Sequence, residues 1–166
     1  MAASRLLRHL SIGAVRVHRH FNARTMERIK EAIAQAERGH AGEVRFAVEA
    51  TLPLRALFHG TDARSRALDW FSHLRLWDTE ANTGVLLYLL WADKAIEIVA
   101  DRGIAALLPA DVWDAPCAEL RERLRRSDDA GEAVCACIAA IGALLRAALP
   151  PAEATPDELP DDPLLL

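Results

Sequence analysis

The sequence has few of the residues that usually reveal chemistry. Its three cysteines are odd in number, so no disulfide framework is expected. It contains no zinc-ligand spacing, no P-loop, no dinucleotide-binding glycine motif and no G-x-S-x-G elbow. Charged residues interrupt each hydrophobic segment before about 18 residues, the length of a membrane-spanning helix. These absences predict one globular domain in the cytoplasm, without an organic cofactor.

The two ends of the chain carry opposite charges. Residues 1–30 contain seven Lys or Arg and one acid, whereas residues 150–166 contain five acids and no base. The N-terminal part lacks a signal-peptide core, because its longest run without charge or His is "LSIGAV". We therefore predict a basic arm over 1–21, an α/β domain over 22–149 and a Pro-rich acidic tail over 150–166. The arm has three interpretations: it contacts a membrane surface, it contacts a protein partner, or it is a solvated terminus. The net charge of −4 argues against nucleic acid as a partner.

The hydrophobic pattern predicts helices around a buried sheet. A helix follows Asn22, and "GEVRFAVEA" alternates as a strand does. A second helix is expected from Ala63 to about Trp77, and the tail is expected to be mostly extended. "TGVLLYLLW" is apolar on both faces, as in a central strand, and the short turn to "AIEIVA" predicts an antiparallel hairpin ending at Gly103. With a helical C-terminal third, this order predicts a single-domain α/β/α sandwich with a mixed sheet.

Oxygen-bearing side chains flank the apolar strand. Asp78, Glu80 and Asn82 alternate before it, in the manner of the opening of a calcium loop. An EF-hand is excluded, because Thr83 stands where glycine is required and Leu89 where a bidentate Glu is required. Two interpretations stay open: a metal site completed by ligands from elsewhere, or a polar loop between helix and strand.

Other constellations are weaker. The spacing C-x5-R from Cys117 to Arg123 is that of a thiolate phosphatase, but the segment has no glycine and carries Glu119 and Glu122. No two histidines have the H-x3-H spacing of a helical metal site. The tryptophans indicate core packing rather than a pocket. The sequence therefore identifies no catalytic residue.

Three segments, "GHAGEVRFAVEA", "WDTEANTGVLLYLLWADKAIEIVADRGI" and "PDELPDDPLLL", resemble a known family. They are similar to bacterial TPM-domain proteins, named for a thylakoid lumen protein, a photosystem repair protein and a nematode receptor modulator. The resemblance extends from about Phe21 to Leu166 and is strongest in the hairpin. The strand H-x-GE-V-RF, His40 to Phe46, is similar to that of a small proteobacterial subgroup.

The resemblance implies an α/β/α sandwich with an acidic cleft beside the strand ends. Plant members have been assigned acid phosphatase activity, some members bind calcium, and many look like assembly modules that are often membrane-tethered. Carried over to this chain, the cleft would contain Asp78, Glu80, Asn82 and Asp93 as ligands of calcium or another divalent cation. The expected function is a binding or assembly module, and the alternative is a weak metal-assisted acid phosphatase. No small-molecule substrate is indicated.

Overall fold

The computed structural model describes residues 2–11, 14–126, 129–152 and 158–166. It has the predicted sandwich architecture in one domain. In chain order, the elements are α1 (Ala2–Ser11), α2 (Ala14–His20), α3 (Ala23–Ala36), β1 (Glu43–Glu49), α4 (Leu54–Phe58), α5 (Ala63–His73), β2 (Gly84–Leu90), β3 (Ala95–Ala100), α6 (Arg102–Ala105), a 3-10 turn (Ala110–Trp113), α7 (Asp114–Arg126), α8 (Ala130–Ala148) and β4 (Leu164–Leu165).

The four strands form a mixed sheet in the order β3-β2-β1-β4. β2 runs parallel to β1 and antiparallel to β3, and β4 runs parallel to β1. β2 is buried along its whole length, as expected for an apolar strand with neighbours on both edges and helices on both faces. Its partner β3 lies at the edge of the sheet.

Two helical layers cover the sheet. On one face, α3, α7 and α8 pack on the even-numbered side chains of β1, including Phe46 and Val48. On the other face, Ala67 and Phe71 of α5 pack with Leu86 and Tyr88 of β2. Because side chains alternate along a strand, each strand contributes to both cores, and the α/β/α prediction is confirmed.

Strand β1 also buries charged side chains on the α5 face. The Arg66 Nε–H is shared between the two oxygens of the Glu49 carboxylate, and Arg66 Nη2 donates to one of them, at 2.8–3.2 Å. The carboxylate also accepts hydrogen bonds from Trp70 Nε1 at 3.2 Å and from Tyr88 Oη at 2.5 Å. A buried carboxylate is tolerated only when its charge and lone pairs are satisfied, and this network supplies both requirements.

Both ends of the chain dock on the domain. In the arm, Val17 and Phe21 are core residues and His9 is buried. In the tail, Leu159 is buried in the α5-side core. The Leu166 N–H donates to Val48 O, while Leu166 O accepts from Ala50 N–H. The tail was predicted to be mostly extended. It includes a short strand, β4, that covers the free edge of β1.

Capping residues mark several element boundaries. Asn22 and Asp62 accept hydrogen bonds from the backbone N–H groups of Thr25 and Ser65, which starts α3 and α5 where the sequence predicts them. The predicted ends were wrong in two places. α5 stops at His73, before a turn that holds Arg75 at a φ of 55°. β3 stops at Ala100, because Asp101 caps α6.

Helix α8 is long and apolar enough, by length and composition alone, to cross a membrane. In this fold half of it is buried inside the domain, where it packs against α3 and α7. Its apolar stripe therefore has a core partner within the same chain. That stripe is the one predicted from Val134, Ile138, Ile141 and Leu145, all of which are buried.

Candidate functional site

Three of the four predicted ligands lie at the amino end of β2. Asp78, Glu80 and Asn82 belong to a loop of residues 78–82, here called the acid loop, which enters the strand at Gly84. Asn82 has a φ of 55°, a left-handed conformation that Asn tolerates better than most residues. Its carbonyl oxygen accepts a hydrogen bond from the Gly103 N–H. A Cβ at Gly103 would lie 2.4 Å from Ala81 O, so this approach requires glycine.

Several polar groups of the acid loop have protein partners. Asp78 pairs with Arg75 across 2.5 Å, and both side chains are well exposed. The Asn82 Oδ1 accepts from Arg102 Nε at 2.8 Å. The Glu80 N–H donates to the carboxylate of Glu158, a tail residue that the sequence does not connect with this loop. The loop is therefore tied to α6 and to the tail by its own hydrogen bonds.

Asp93 lies at the other end of β2. The strand spans seven residues, so about 20 Å separate its ends at roughly 3.3 Å per residue. There the Asp93 carboxylate contacts Arg5 at 2.8 Å, His9 Nε2 at 3.2 Å and Arg8 at 3.4 Å. Although burial opposes the charged form, Arg5 and then His9 hold the pKa of Asp93 below its usual range. Asp93 thus anchors α1 and does not meet the acid loop.

This arrangement does not fit a calcium site made of the four predicted ligands. Calcium takes about six to eight oxygens, converging from several side chains. Across the described ranges, no group of three or more His, Cys, Asp or Glu side chains is placed to hold a metal ion. Calcium binding at Asp78, Glu80 and Asn82 stays a prediction, and it would require Arg75 and Arg102 to release their partners.

A concave site lies along the outer edge of β3. It is a groove of about 680 Å³, here called the edge groove, between β3, α5 and the segment from α6 to α7. Its lining combines apolar and charged residues: Arg64, Ile96, Glu97, Ile98, Ala100, Ala105, Leu108, Ala110, Trp113, Asp114, Cys117, Ala118 and Arg121. Within the described chain, no strand pairs with this edge of β3.

The backbone direction of β3 follows from its pairing. The Asp101 N–H donates to Gly84 O, so residue 101 points towards β2. Direction alternates along an antiparallel strand, so the N–H and C=O groups of Ile96, Ile98 and Ala100 point outward into the groove. The Arg64 Nη1, which donates to Ile98 O at 2.6 Å, agrees with this assignment.

The two walls of the groove differ in polarity. On the α7 side, Ile96 and Ile98 pack with Trp113, and Leu108 and Cys117 extend this apolar surface, which Asp114 and Arg121 of α7 border. On the α5 side, Arg64 lies 3.7 Å from the Glu97 carboxylate. Burial raises the pKa of Glu97, and Asp62 adds to that effect, while Arg64 and Arg121 oppose it. The groove thus offers a row of backbone groups between an apolar wall and a charged wall.

Two cysteine side chains, Cys117 and Cys137, are not activated as nucleophiles. Burial raises the pKa of Cys117 to about 11 and that of Cys137 to about 12, so both thiols are protonated at neutral pH. Burial also lowers the pKa of His40, whose ring contacts Ala36 O and accepts from the Gly42 N–H. These contacts fix His40 as a structural residue.

Sequence reasoning did not find the edge groove. Arg64, Glu97 and Trp113 come from three elements, and their spacing matches no motif. An exposed strand edge has no signature in composition, because it depends on which strand ends the sheet. The available signal was partial: Glu97 interrupts the apolar pattern of β3, as charged residues often do on edge strands.

This architecture is similar to that of known proteins. The family model described as "TPM domain" matches residues 18–144. The solution structure of the BA42 protein from the psychrophilic bacterium Bizionia argentinensis is similar, with a TM-score of 0.75 and 27% identity. That match covers 87% of this chain and 94% of BA42. No curated protein matches.

Proposed function

Since this chain belongs to the TPM-domain family, we propose that it is a binding module that holds an extended peptide in the edge groove. The observation that carries the proposal is the open edge of β3, with the backbone groups of Ile96, Ile98 and Ala100 pointing into a groove of about 680 Å³. A peptide can add to such an edge as a further strand, by the same backbone hydrogen bonds that hold the sheet together.

The walls of the groove suggest which peptides would bind. Successive side chains of an added strand point to opposite faces, so alternate residues would meet the apolar wall at Trp113 and the charged wall at Arg64. Arg64 currently donates to Ile98 O, a carbonyl that a peptide N–H would need. A carboxylate on the peptide would attract the Arg64 guanidinium and release that carbonyl. The preferred peptide therefore alternates apolar and acidic residues.

Fluorescence anisotropy with labelled peptides tests this proposal. The probe is a peptide of about seven residues, a typical strand length, alternating Val and Glu. A second peptide replaces each Glu by Lys. We expect the wild-type protein to bind the Val–Glu peptide at least about tenfold more tightly than the Val–Lys peptide, a difference of about 1.4 kcal/mol.

Two matched variants locate the binding surface. Ala118→Trp fills the groove from α7, whereas Ala139→Trp adds the same side chain at an exposed position of α8 outside the groove lining. Ala118→Trp should weaken binding of the Val–Glu peptide by about tenfold or more, and Ala139→Trp should leave it unchanged. Equal affinity of both variants, or equal affinity of the wild type for both peptides, would refute the proposal.

The acid phosphatase alternative has less support. A metal-assisted phosphatase activates a water molecule on its metal ion, yet the Asp78 carboxylate that would hold the ion is paired with Arg75. Cys117 does not supply a nucleophile instead, because its thiol is protonated at neutral pH. Release of p-nitrophenol from its phosphate that disappears in Asp78→Asn would favour this alternative over a binding module. Release of p-nitrophenol at the same rate in Asp78→Asn would show that the acid loop is not the phosphatase site.

A further inference from the structure

Exposed apolar side chains concentrate on two short helices. The described part of the chain has seven exposed large apolar side chains, and four of them belong to α1 or α4. On α1, Leu7 is 66% exposed and Leu10 is 62% exposed. On α4, Leu54 is 52% exposed and Phe58 is 76% exposed. Single exposed apolar residues are ordinary, but this concentration calls for an explanation.

Hydrogen bonds hold α1 against the segment that contains α4. The Arg5 guanidinium donates to Thr61 O at 2.9 Å, and the Leu52 N–H donates to His9 Nδ1 at 3.0 Å. Earlier residues of α1 thus contact later residues of this segment, so the two run antiparallel, side by side. The four apolar side chains therefore belong to one region of the surface, here called the α1–α4 patch: Leu7, Leu10, Leu54 and Phe58.

The anchoring contacts orient α1. Arg5 and His9 face the domain through Thr61, Leu52 and Asp93. A helix turns by about 100° per residue, so Leu7 lies about 200° from both anchors and points away from the domain. Among the α1 side chains that the structure describes, the anchors Arg5 and His9 are therefore polar and Leu7 on the opposite side is apolar, the reverse of a helix that only covers a core.

The charge of this region is positive although the whole chain is acidic. The two helices of the patch carry Arg5, Arg8 and Arg55 and no acid, while the chain has a net charge of −4. The Arg8 side chain is 55% exposed beside the patch, and Arg55 is exposed on α4. The nearest acids are already engaged, since Asp93 binds Arg5, and Asp62 caps α5.

We propose that the α1–α4 patch docks this protein on an anionic lipid bilayer. Leu and Phe side chains inserted at the headgroup boundary gain hydrophobic burial, and nearby arginines are attracted to anionic lipids. A protein partner would supply the burial equally well, but the positive charge around the patch complements a lipid surface. This inference is independent of peptide binding, because α1 and α4 do not line the edge groove.

Vesicle flotation tests the inference. The full chain is mixed with phosphatidylcholine vesicles that contain about a quarter phosphatidylserine, and separately with pure phosphatidylcholine vesicles. We expect the floated fraction to be at least about fivefold larger with phosphatidylserine, and to fall as salt is raised. Failure of the wild-type protein to float with the anionic vesicles would overturn the inference.

Matched substitutions distinguish docking through the patch from non-specific adsorption of the protein to vesicles. Leu7→Asp combined with Phe58→Asp should reduce the floated fraction by about fivefold or more, because each substitution replaces an inserting side chain with a charge that anionic lipid repels. Leu107→Asp is the control, since Leu107 is 52% exposed but outside both helices. All three positions are exposed, and circular dichroism checks that the fold is retained. Equal flotation of the double variant and the control would also overturn the inference.

Discussion

Buried carboxylates are the residues at which this chain departs from a simple amphipathic pattern. Glu43 and Glu49 are each 4% exposed on β1. Glu49 is satisfied by Arg66, Trp70 and Tyr88, whereas Glu43 accepts hydrogen bonds from the backbone of the tail at Glu158 and Leu159. The acids of β1 therefore hold α5 and the tail in place, and they do so through different partners.

The carboxyl of Glu37 should make stability depend on pH. Burial raises the pKa of Glu37 to about 9, and Glu43 and Asp161 add to the shift. Below about pH 4.5 the carboxyl is protonated in both states; between about pH 4.5 and 9 only the unfolded chain releases the proton, so stability falls as pH rises. Glu37→Gln cannot ionise, and its side-chain oxygen can still accept from the Val44 N–H. Urea unfolding should show Glu37→Gln more stable than wild type by at least about 1 kcal/mol near pH 8, and equal near pH 4.5.

The control for this prediction is Glu31→Gln at an exposed position of α3, the helix after which Glu37 is the C-terminal cap residue. It should follow the wild-type pH dependence within about 0.5 kcal/mol, as surface substitutions usually do. A pH dependence of Glu37→Gln that is the same as that of the wild type would contradict the assignment.

Among the elements, α3 and α8 make the closest helix contact on their face of the sheet. Gly142 of α8 faces Ala36 of α3, and a Cβ at Gly142 would lie 2.8 Å from the Ala36 Cα. Cys135 and Arg146, also on α8, reach backbone carbonyls of α3 at Arg28 and Ala36. A glycine in this helix therefore sets the distance between two helices and is not a weak point of the sequence.

Gly142→Ala should change the free energy of unfolding in the direction opposite to the one that helix propensity predicts. Alanine in a helix interior is favoured over glycine by about 1 kcal/mol, so propensity alone predicts a gain. Because the added methyl group would meet the Ala36 backbone, we expect a loss of about 1–3 kcal/mol in the free energy of unfolding, measured with urea. The neighbouring exposed Ala143→Gly should lose about 1 kcal/mol through propensity. A gain for Gly142→Ala would show that the helices can separate at no cost.

For the molecule as a whole, the two ends of β2 have separate tasks. The acid loop joins α6 and the tail at one end, and Asp93 joins the N-terminal arm at the other. The hairpin therefore connects the two chain termini through the middle of the sheet. The separation also means that substitutions at Asp93 and at Asp78 should have different effects.

Asp93→Asn should loosen α1 without unfolding the domain. The substitution keeps the size of the side chain but removes the charge that Arg5 and Arg8 contact. A loss of about 1 kcal/mol in docking would raise the open fraction of α1 roughly fivefold. Limited trypsin digestion followed by mass spectrometry should show a matching rise in cleavage after Arg8. Asp78→Asn, which removes an exposed pair with Arg75, should leave that cleavage unchanged, and equal cleavage rates in both variants would contradict the assigned role of Asp93.

The sequence by itself determined the architecture and most of its elements. The apolar run of β2, the alternation of β1 and the caps at Asn22 and Asp62 are local signals, and each predicted the element that the structure contains. The hairpin followed from the short turn between β2 and β3. Local signals are reliable here because periodicity and capping depend on neighbours within a few residues.

Only the tertiary structure decided which side chains meet. It placed Asp93 in contact with His9 of α1 instead of beside Asp78, and it placed the Glu158 carboxylate against the acid loop. It also left β3 as an open edge of the sheet. These outcomes depend on strand order and on where the two termini dock, which contacts distant in the chain determine. Acidic residues near strand ends therefore predict a polar surface. Which of these residues lie at the same end of the sheet depends on the direction in which each strand runs.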